Sequence, residues 1–337
     1  MEIGKRHACP SCGWYLRKQG MRCPVCGGLP GPDGAVTASR LSEEELAAGL
    51  RSGRLIVTLS RLGMAICIAA AVVTLALAQW AVLVLSLLAL VFFVALHIYH
   101  GSRMKHLVAV NIVRGALDEM FDVEAYSHQH YIGSATIGEA GLVRDWNECS
   151  GSDYVKGSYK GVQFAFSDIK LVDVQESTDS DGGTTQTRTT RFQGQWIVLD
   201  TKKAIEHPLR LRERPQRRLS GKYTKSKSDV ETENETFNTK FQILTRDPHT
   251  AFYVLTPHFM ETIVRLDERA NARTYLGFLG QQVHVAVDNG RDSFEVKKSA
   301  DVKNLPQLRT RIQGEISYII AIVDELLQNK YLFGEEN

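Results

Sequence analysis

The sequence predicts an α+β protein in three parts: a small four-cysteine ribbon, a two-helix hairpin of membrane-spanning length, and a domain of antiparallel strands plus helices. Three observations predict it. Four of the six cysteines lie in the first 26 residues. The stretch Leu55–Tyr99 contains one charged residue, Arg61. Beyond residue 104, strand-like and helix-like segments follow one another without a repeating βαβ pattern, which points to α+β. The implied parts are a ribbon at 1–28, a linker and juxtamembrane helix at 29–54, a hairpin at 55–100 and a folded domain at 104–337.

The ribbon rests on Cys9-Pro10-Ser11-Cys12-Gly13 and Cys23-Pro24-Val25-Cys26-Gly27. Two residues between thiolates let the backbone turn so that both sulfurs aim at one point. The glycine after the second cysteine tolerates the left-handed conformation such a turn needs. Two knuckles supply four sulfurs, a tetrahedral set that suits Zn2+. The expected ligands are therefore Cys9, Cys12, Cys23 and Cys26, with a short hairpin through Trp14, Tyr15 and Leu16 between the knuckles. With every ligand position filled by a thiolate, the predicted zinc is structural, and so small a module depends on its metal to fold. Two disulfides are the rival reading, disfavoured by the Cys-x-x-Cys spacing and a reducing compartment. Cys67 and Cys149 stand alone and read as small buried hydrophobes. Lys5, Arg6, Arg17, Lys18 and Arg22 surround the head, but a tether to a bilayer makes DNA or RNA a less natural partner than protein.

Gly27–Gly34 is a cluster of breakers and reads as linker. Ser42 before Glu43, Glu44 and Glu45 marks a helix start, with acids at the positive end of the helix dipole. A juxtamembrane helix is expected through about Arg51. As one helix, Leu55–Tyr99 would be ~67 Å long, about twice a ~30 Å hydrocarbon core, so two spans are expected. The break is placed near Gln79-Trp80, the polar-interfacial interruption. A soluble helical hairpin would need a polar face, and none is present. Arg51, Arg54 and Arg61 precede the first span and Arg103, Lys105 and Arg114 follow the second, while the turn carries no charge. The positive-inside rule then puts both termini in the cytoplasm of an integral inner-membrane protein. The first long apolar run begins only after residue 54, so no N-terminal signal peptide is expected.

In the folded domain, Met104–Met120 has helical periodicity. Tyr159–Phe166, Ile169–Val174 and Phe192–Leu199 alternate as half-buried strands do. Glu176–Arg191 reads as an exposed hairpin loop. Residues 202–227 carry ten Lys or Arg against two Glu. That segment reads either as a solvated loop and strand edge or as an attractor of anionic headgroups. Thr236–Leu244 looks like a strand entry. Thr256-Pro257 starts a helix to about Ala270, Gly277–Val287 is a strand before the turn Asp288-Asn289-Gly290, and Gly314–Leu327 is the last helix.

Several blocks carry a resemblance. Asp153–Gly157, Gly161–Ser167 and Phe192–Trp196, with Glu233–Phe241 leading to Ala251–Glu261, resemble a bacterial family known as domain of unknown function 3137. The resemblance runs over roughly residues 105–330. It implies a membrane-anchored α+β domain with paired spans before it, no established activity, and a LemA-type membrane protein as a possible partner. The cysteine head departs from many members.

Enzyme signatures are sparse. His128-Gln129-His130 offers two imidazoles, and Asp247-Pro248-His249 with His258 offers an acid-base pair, but there is no phosphate loop, nucleophile elbow or HExxH helix. The expected function is a non-enzymatic, membrane-tethered interaction or scaffold protein. An anionic-lipid or envelope-associated sensor is the first alternative, and an uncharacterised enzyme the second.

Overall fold

A computed structural model describes residues 7–9, 15–16, 21–26, 29–30, 36–37, 41–178, 184–216, 223–224, 227–294 and 304–334. The chain divides into two compact units, residues 1–116 with 296–313, and residues 117–295 with 314–337.

The first unit opens with two pairs of two-residue strands. β1 (His7–Ala8) pairs antiparallel with β2 (Tyr15–Leu16), and β3 (Leu29–Pro30) with β4 (Val36–Thr37). The β1–β2 pair encloses the first knuckle rather than lying between the two; only β2, at Tyr15–Leu16, falls in the stretch where the short hairpin was expected. Helix α1 runs Glu43–Ala76. Its start is a capping box: Glu45 N donates to Ser42 Oγ at 3.2 Å and Ser42 N donates to Glu45 Oε2 at 3.1 Å. The juxtamembrane helix and the first span are thus one 34-residue helix, not two elements. Gly53 does not break it because that glycine is a packing position: a Cβ there would lie 2.8 Å from Met104 Cγ.

Helix α2 runs Trp80–Val108. The break falls where expected, one residue earlier in its effect: Ala78 takes the left-handed conformation (φ 53°) that glycine usually supplies. The two helices pack antiparallel, with Gly53 against Met104, Ser60 against His97 and Gly63 against Phe93. Small residues let the backbones approach, as between helices in lipid. Leu62, Ile66, Leu85, Phe92 and Ile98 point outward, each more than half exposed. Both helices are long and apolar enough to cross a membrane, and their outward apolar surface is the reverse of a soluble core hairpin. Hydroxyls inside them are satisfied locally: Ser60 Oγ donates to Val57 O, Thr74 Oγ1 to Ala70 O and Ser86 Oγ to Leu83 O. A π-helical turn, Ala109–Val113, follows α2 and leads to α3 (Arg114–Met120).

The second unit is built on one antiparallel sheet. Its strands are β5 (Asp122–Ser127), β6 (Glu148–Tyr159), β7 (Val162–Thr178), β8 (Thr184–Glu213), β9 (Phe241–Thr245) and β10 (Arg273–Asp288). They lie in the order β10-β8-β7-β6-β5, with β9 on β8. The 30-residue β8 is the spine: its first half pairs with β7 and its last residues with β9, while β10 follows its other side. The expected hairpin loop at Glu176–Arg191 is shorter than the sequence implies. β7 continues to Thr178 and β8 starts at Thr184, because alternating threonines suit a strand. The expected loop after residue 202 likewise begins as strand, to Glu213.

Among the described residues, six helices of 4 to 23 residues are interleaved with these strands or follow them, the last long one belonging to this unit from Gly314 onward. α4 is Ser134–Ala140, α5 Glu235–Lys240, α6 Pro248–Val254, α7 Pro257–Ala270, α8 Leu305–Leu327 and α9 Lys330–Phe333. The expected strand entry at Thr236 is helix α5 first and strand β9 second, since Asn234 caps a turn by accepting from Phe237 N at 3.0 Å. The start of α7 is as read: Thr256 Oγ1 accepts from Phe259 N and Pro257 occupies the first turn. One face of the sheet buries Ile169, Leu171, Phe192, Trp196 and Ala286 with Ile137, Ala140 and Leu142 around α4. On the other face Phe166 meets Phe164, Phe121 and Phe294. α7 and the later part of α8 are joined where Arg265 and Arg269 reach Glu325.

Candidate functional site

Three thiols converge in the first unit. The Sγ atoms of Cys9, Cys23 and Cys26 all lie within 4.8 Å of one another, and the residues are 3%, 1% and 5% exposed. Cys9 Sγ and Cys26 Sγ stand 3.6 Å apart. A disulfide needs about 2.05 Å. A tetrahedral ion with four bonds of about 2.3 Å separates its sulfurs by about 3.8 Å. The spacing therefore suits two thiolates sharing one metal. Cys12, the fourth expected ligand, lies outside the described residues.

The knuckle Cys23–Cys26 is anchored from outside the head. Val25, 0% exposed, offers its carbonyl to Asn111 Nδ2 at 2.9 Å, and the same amide donates to Leu107 O at 2.8 Å. Asn111 Oδ1 accepts from Leu41 N at 3.4 Å. Asn111 sits in the π-helical turn just beyond α2; the wider ring leaves backbone groups for a side chain to reach. Beside this contact Arg22 forks onto Glu45, with Nη1 3.0 Å from Oε1 and Nη2 3.3 Å from Oε2. The Arg22 guanidinium, followed by the Ser42 amide, lowers the Glu45 carboxyl. So the second knuckle is held to the start of α1 and the turn after α2. Sequence reading missed Asn111, because a lone asparagine in an apolar helix carries no signal until the turn is known to be π-helical.

Among the described residues, none of the other sequence candidates joins a cluster of three or more metal-ligating side chains. His130 Nδ1 lies 2.7 Å from Ser127 Oγ at the surface. Asp247 is occupied as the cap of α6, accepting from His249 N and Thr250 N. His258 belongs to a different helix, α7. In the basic segment, three arginines are committed within the fold. Arg210 Nε donates to Ala140 O at 2.7 Å, Arg212 Nη2 to Gly141 O at 2.5 Å, and Arg214 Nη2 to Ser228 Oγ at 2.9 Å. The first two close the C-terminal end of α4, where orphan carbonyls and the negative dipole favour cations. Burial, with Arg144 and Arg210 nearby, lowers Arg212 to about 10.

The family comparison bears on this second unit. Residues 190–328 match the model of the family described as "Protein of unknown function (DUF3137)". The match covers Phe192–Trp196 and the Glu233–Glu261 blocks, and it starts inside β8. It supports the resemblance to this family over that stretch and does not extend to the cysteine head. No curated protein matches the chain. Among solved structures, the crystal structure of the mycobacterial trehalose monomycolate transport factor A, TtfA, is similar at 12% identity, over 65% of this chain and 93% of that chain, with a TM-score of 0.30. Similarity at that level carries no argument about fold or role.

Proposed function

We propose that this chain is a non-enzymatic, membrane-tethered interaction protein of the DUF3137 family carrying a structural zinc head. In this reading α1 and α2 cross the cytoplasmic membrane as a hairpin with both termini in the cytoplasm. Cys9, Cys12, Cys23 and Cys26 hold one Zn2+. The head and the sheet domain then engage a protein partner, with a LemA-type membrane protein the candidate that the family resemblance implies.

The observation that carries the reading is the outward apolar surface of both helices, next to which three buried thiols are gathered. Such a surface is costly in water and favourable in lipid. Arg51, Arg54, Arg103 and Lys105 fall at the same end of the hairpin, the end from which the positive-inside rule reads the cytoplasm. The lipid-sensor alternative draws less support, since Arg210, Arg212 and Arg214 spend donors on the domain's own backbone and side chains.

Epitope tags at the two ends test the reading in spheroplasts treated with protease. Both tags are expected to be protected until the membrane is permeabilised, and the chain to pellet with membranes. Tags on opposite faces, or a chain in the aqueous fraction, would overturn it.

A further inference from the structure

Three carboxylates meet in the second unit, away from the cysteines. Oxygens of Asp153, Asp168 and Asp292 lie within 4.8 Å of one another. They come from β6, β7 and the turn after β10. Each is placed by a specific backbone feature. Asp153 sits where the β6–β7 register slips between Ser152 and Val155, a bulge that turns its backbone to φ 56° and re-aims its side chain. Gly151 lets the two strands close up beside it: a Cβ there would lie 2.3 Å from Asp168 O. Asp292 follows the turn at Asn289-Gly290 and accepts from Ser152 Oγ at 3.3 Å. Tyr126 Oη donates to Asp153 Oδ1 at 2.9 Å.

Asp168 is the telling member. It is 6% exposed, on the strand face of Phe164 and Phe166, and neither carboxylate oxygen has a hydrogen-bond partner among the described residues. Directly across the ladder stands Gln195, 2% exposed, whose Nε2 donates to Ser293 Oγ at 2.8 Å while its Oε1 is also without a partner. Buried oxygens with nothing to accept from are rare and costly. Burial, then the charges of Asp153 and Asp292, push Asp168 well above the ordinary carboxylate range, against a smaller pull from the Ser293 hydroxyl nearby, which is not in hydrogen-bonding geometry. A pocket of about 210 Å³ reaches this group, lined by Asp168, Asp292, Ser150, Ser152, Lys170 and Arg291 among others. Neither Lys170 nor Arg291 donates to Asp168.

We propose that Asp153, Asp168 and Asp292 bind one hard divalent cation of the calcium or magnesium kind, with water from the pocket completing the shell. Carboxylate oxygens that lie within 4.8 Å of one another can share one hard cation with bonds of about 2.1 Å (magnesium) to about 2.4 Å (calcium). An all-oxygen site gives no purchase to the soft-ligand preference that places zinc among thiolates. The cation would supply the positive charge that Asp168 lacks, and would tie β6, β7 and the end of β10 at one point.

Terbium, a luminescent calcium analogue, tests this on the full, zinc-loaded chain in detergent, excited through its tyrosines and tryptophans. Sensitised emission is expected to saturate at one ion per chain and to be displaced by calcium at micromolar to millimolar concentration. Asp168→Asn and Asp292→Asn are each expected to weaken binding at least about tenfold. Asp292 is only half-buried, so its variant carries the test if Asp168→Asn does not fold. Calcium should raise the melting temperature of the native chain and leave that of a folded carboxamide variant unmoved. No saturable emission, or emission equally strong in the folded variants, would overturn the assignment.

Discussion

The side-chain amide of Asn111 donates 2.9 Å to the carbonyl of Val25, between the two thiols of the second knuckle. This bond is buried, and it ties a residue that follows the hairpin to the loop that bears two of the proposed metal ligands, Cys23 and Cys26. Asn111→Leu leaves the Val25 carbonyl without its partner, at a cost of about 1–3 kcal/mol. Zinc is expected to leave the head roughly 5–150-fold faster when a chelator competes. A metallochromic dye following release from the native chain and the variant measures it; equal rates would mean the contact does not support the knuckle.

Metal content is the direct check on the head. The purified chain is expected to contain about one zinc, and Cys9→Ser with Cys12→Ser to contain none, by elemental analysis. The sheet domain has its own core, so its melting transition should survive in that variant. A metal-free head bridged by disulfides would remove the zinc reading.

Lys240 Nζ lies 2.6 Å from Asp267 Oδ2, with side chains 9% and 4% exposed. Neutralising Asp267 leaves the buried Lys240 only a 3.8 Å contact with the exposed Glu268, so Asp267→Asn is expected to cost about 3 kcal/mol, whereas Lys240→Met with Asp267→Leu is expected to cost far less. Urea unfolding of the single and double variants decides between a coupled pair and two independent contributions.

Burial, and then the Asp267 charge, raise the neighbouring Glu213 carboxyl to about 7. Its folded value is above its unfolded one, near 4.5, so the folded form binds the proton more tightly. The stabilisation is complete below about pH 4.5 and is lost as pH rises through 7. Glu213→Gln should flatten the slope of stability between pH 5 and 8, read from melting temperatures against pH. An unchanged slope would place the titration elsewhere.

Gly63 is the closest approach within the hairpin, where a Cβ would come 2.6 Å from the Phe93 ring. Gly63→Val is expected to destabilise the helix pair by about 1–3 kcal/mol and Phe93→Ala to restore part of it. Unfolding in mixed detergent micelles, followed by circular dichroism, measures both. It also probes Ser60 and His97 one turn away, 3.2 Å apart.

How legible these features were depends on how local their causes are. The knuckles are readable because ligand spacing is a property of four consecutive residues. The Ser42 capping box and the Thr256-Pro257 start are readable for the same reason. The hairpin follows from the lack of any polar face. The turn lacked a glycine or proline, and Ala78 adopting the glycine conformation is not something a sequence announces. Asp168 defeated pattern reading: in Phe164-Ala165-Phe166-Ser167-Asp168 it looks like the polar end of a strand. Only the β6 bulge and the turn bearing Asp292 reveal that it is buried. The basic segment misled in a similar way. Its first half is strand, and Arg210 and Arg212 find their use in carbonyls some 70 residues earlier.

The length of β8 limits how this protein can be cut. The stretch that matches the DUF3137 family model starts at residue 190, six residues after that strand begins, and leaves β5, β6 and β7 behind. A polypeptide trimmed there would expose the flank of β8 that β7 normally covers, together with Phe192, Trp196 and Val198, an invitation to self-association. The matched stretch is therefore smaller than the sheet it belongs to, and a fragment that keeps that sheet whole has to begin upstream of Asp122.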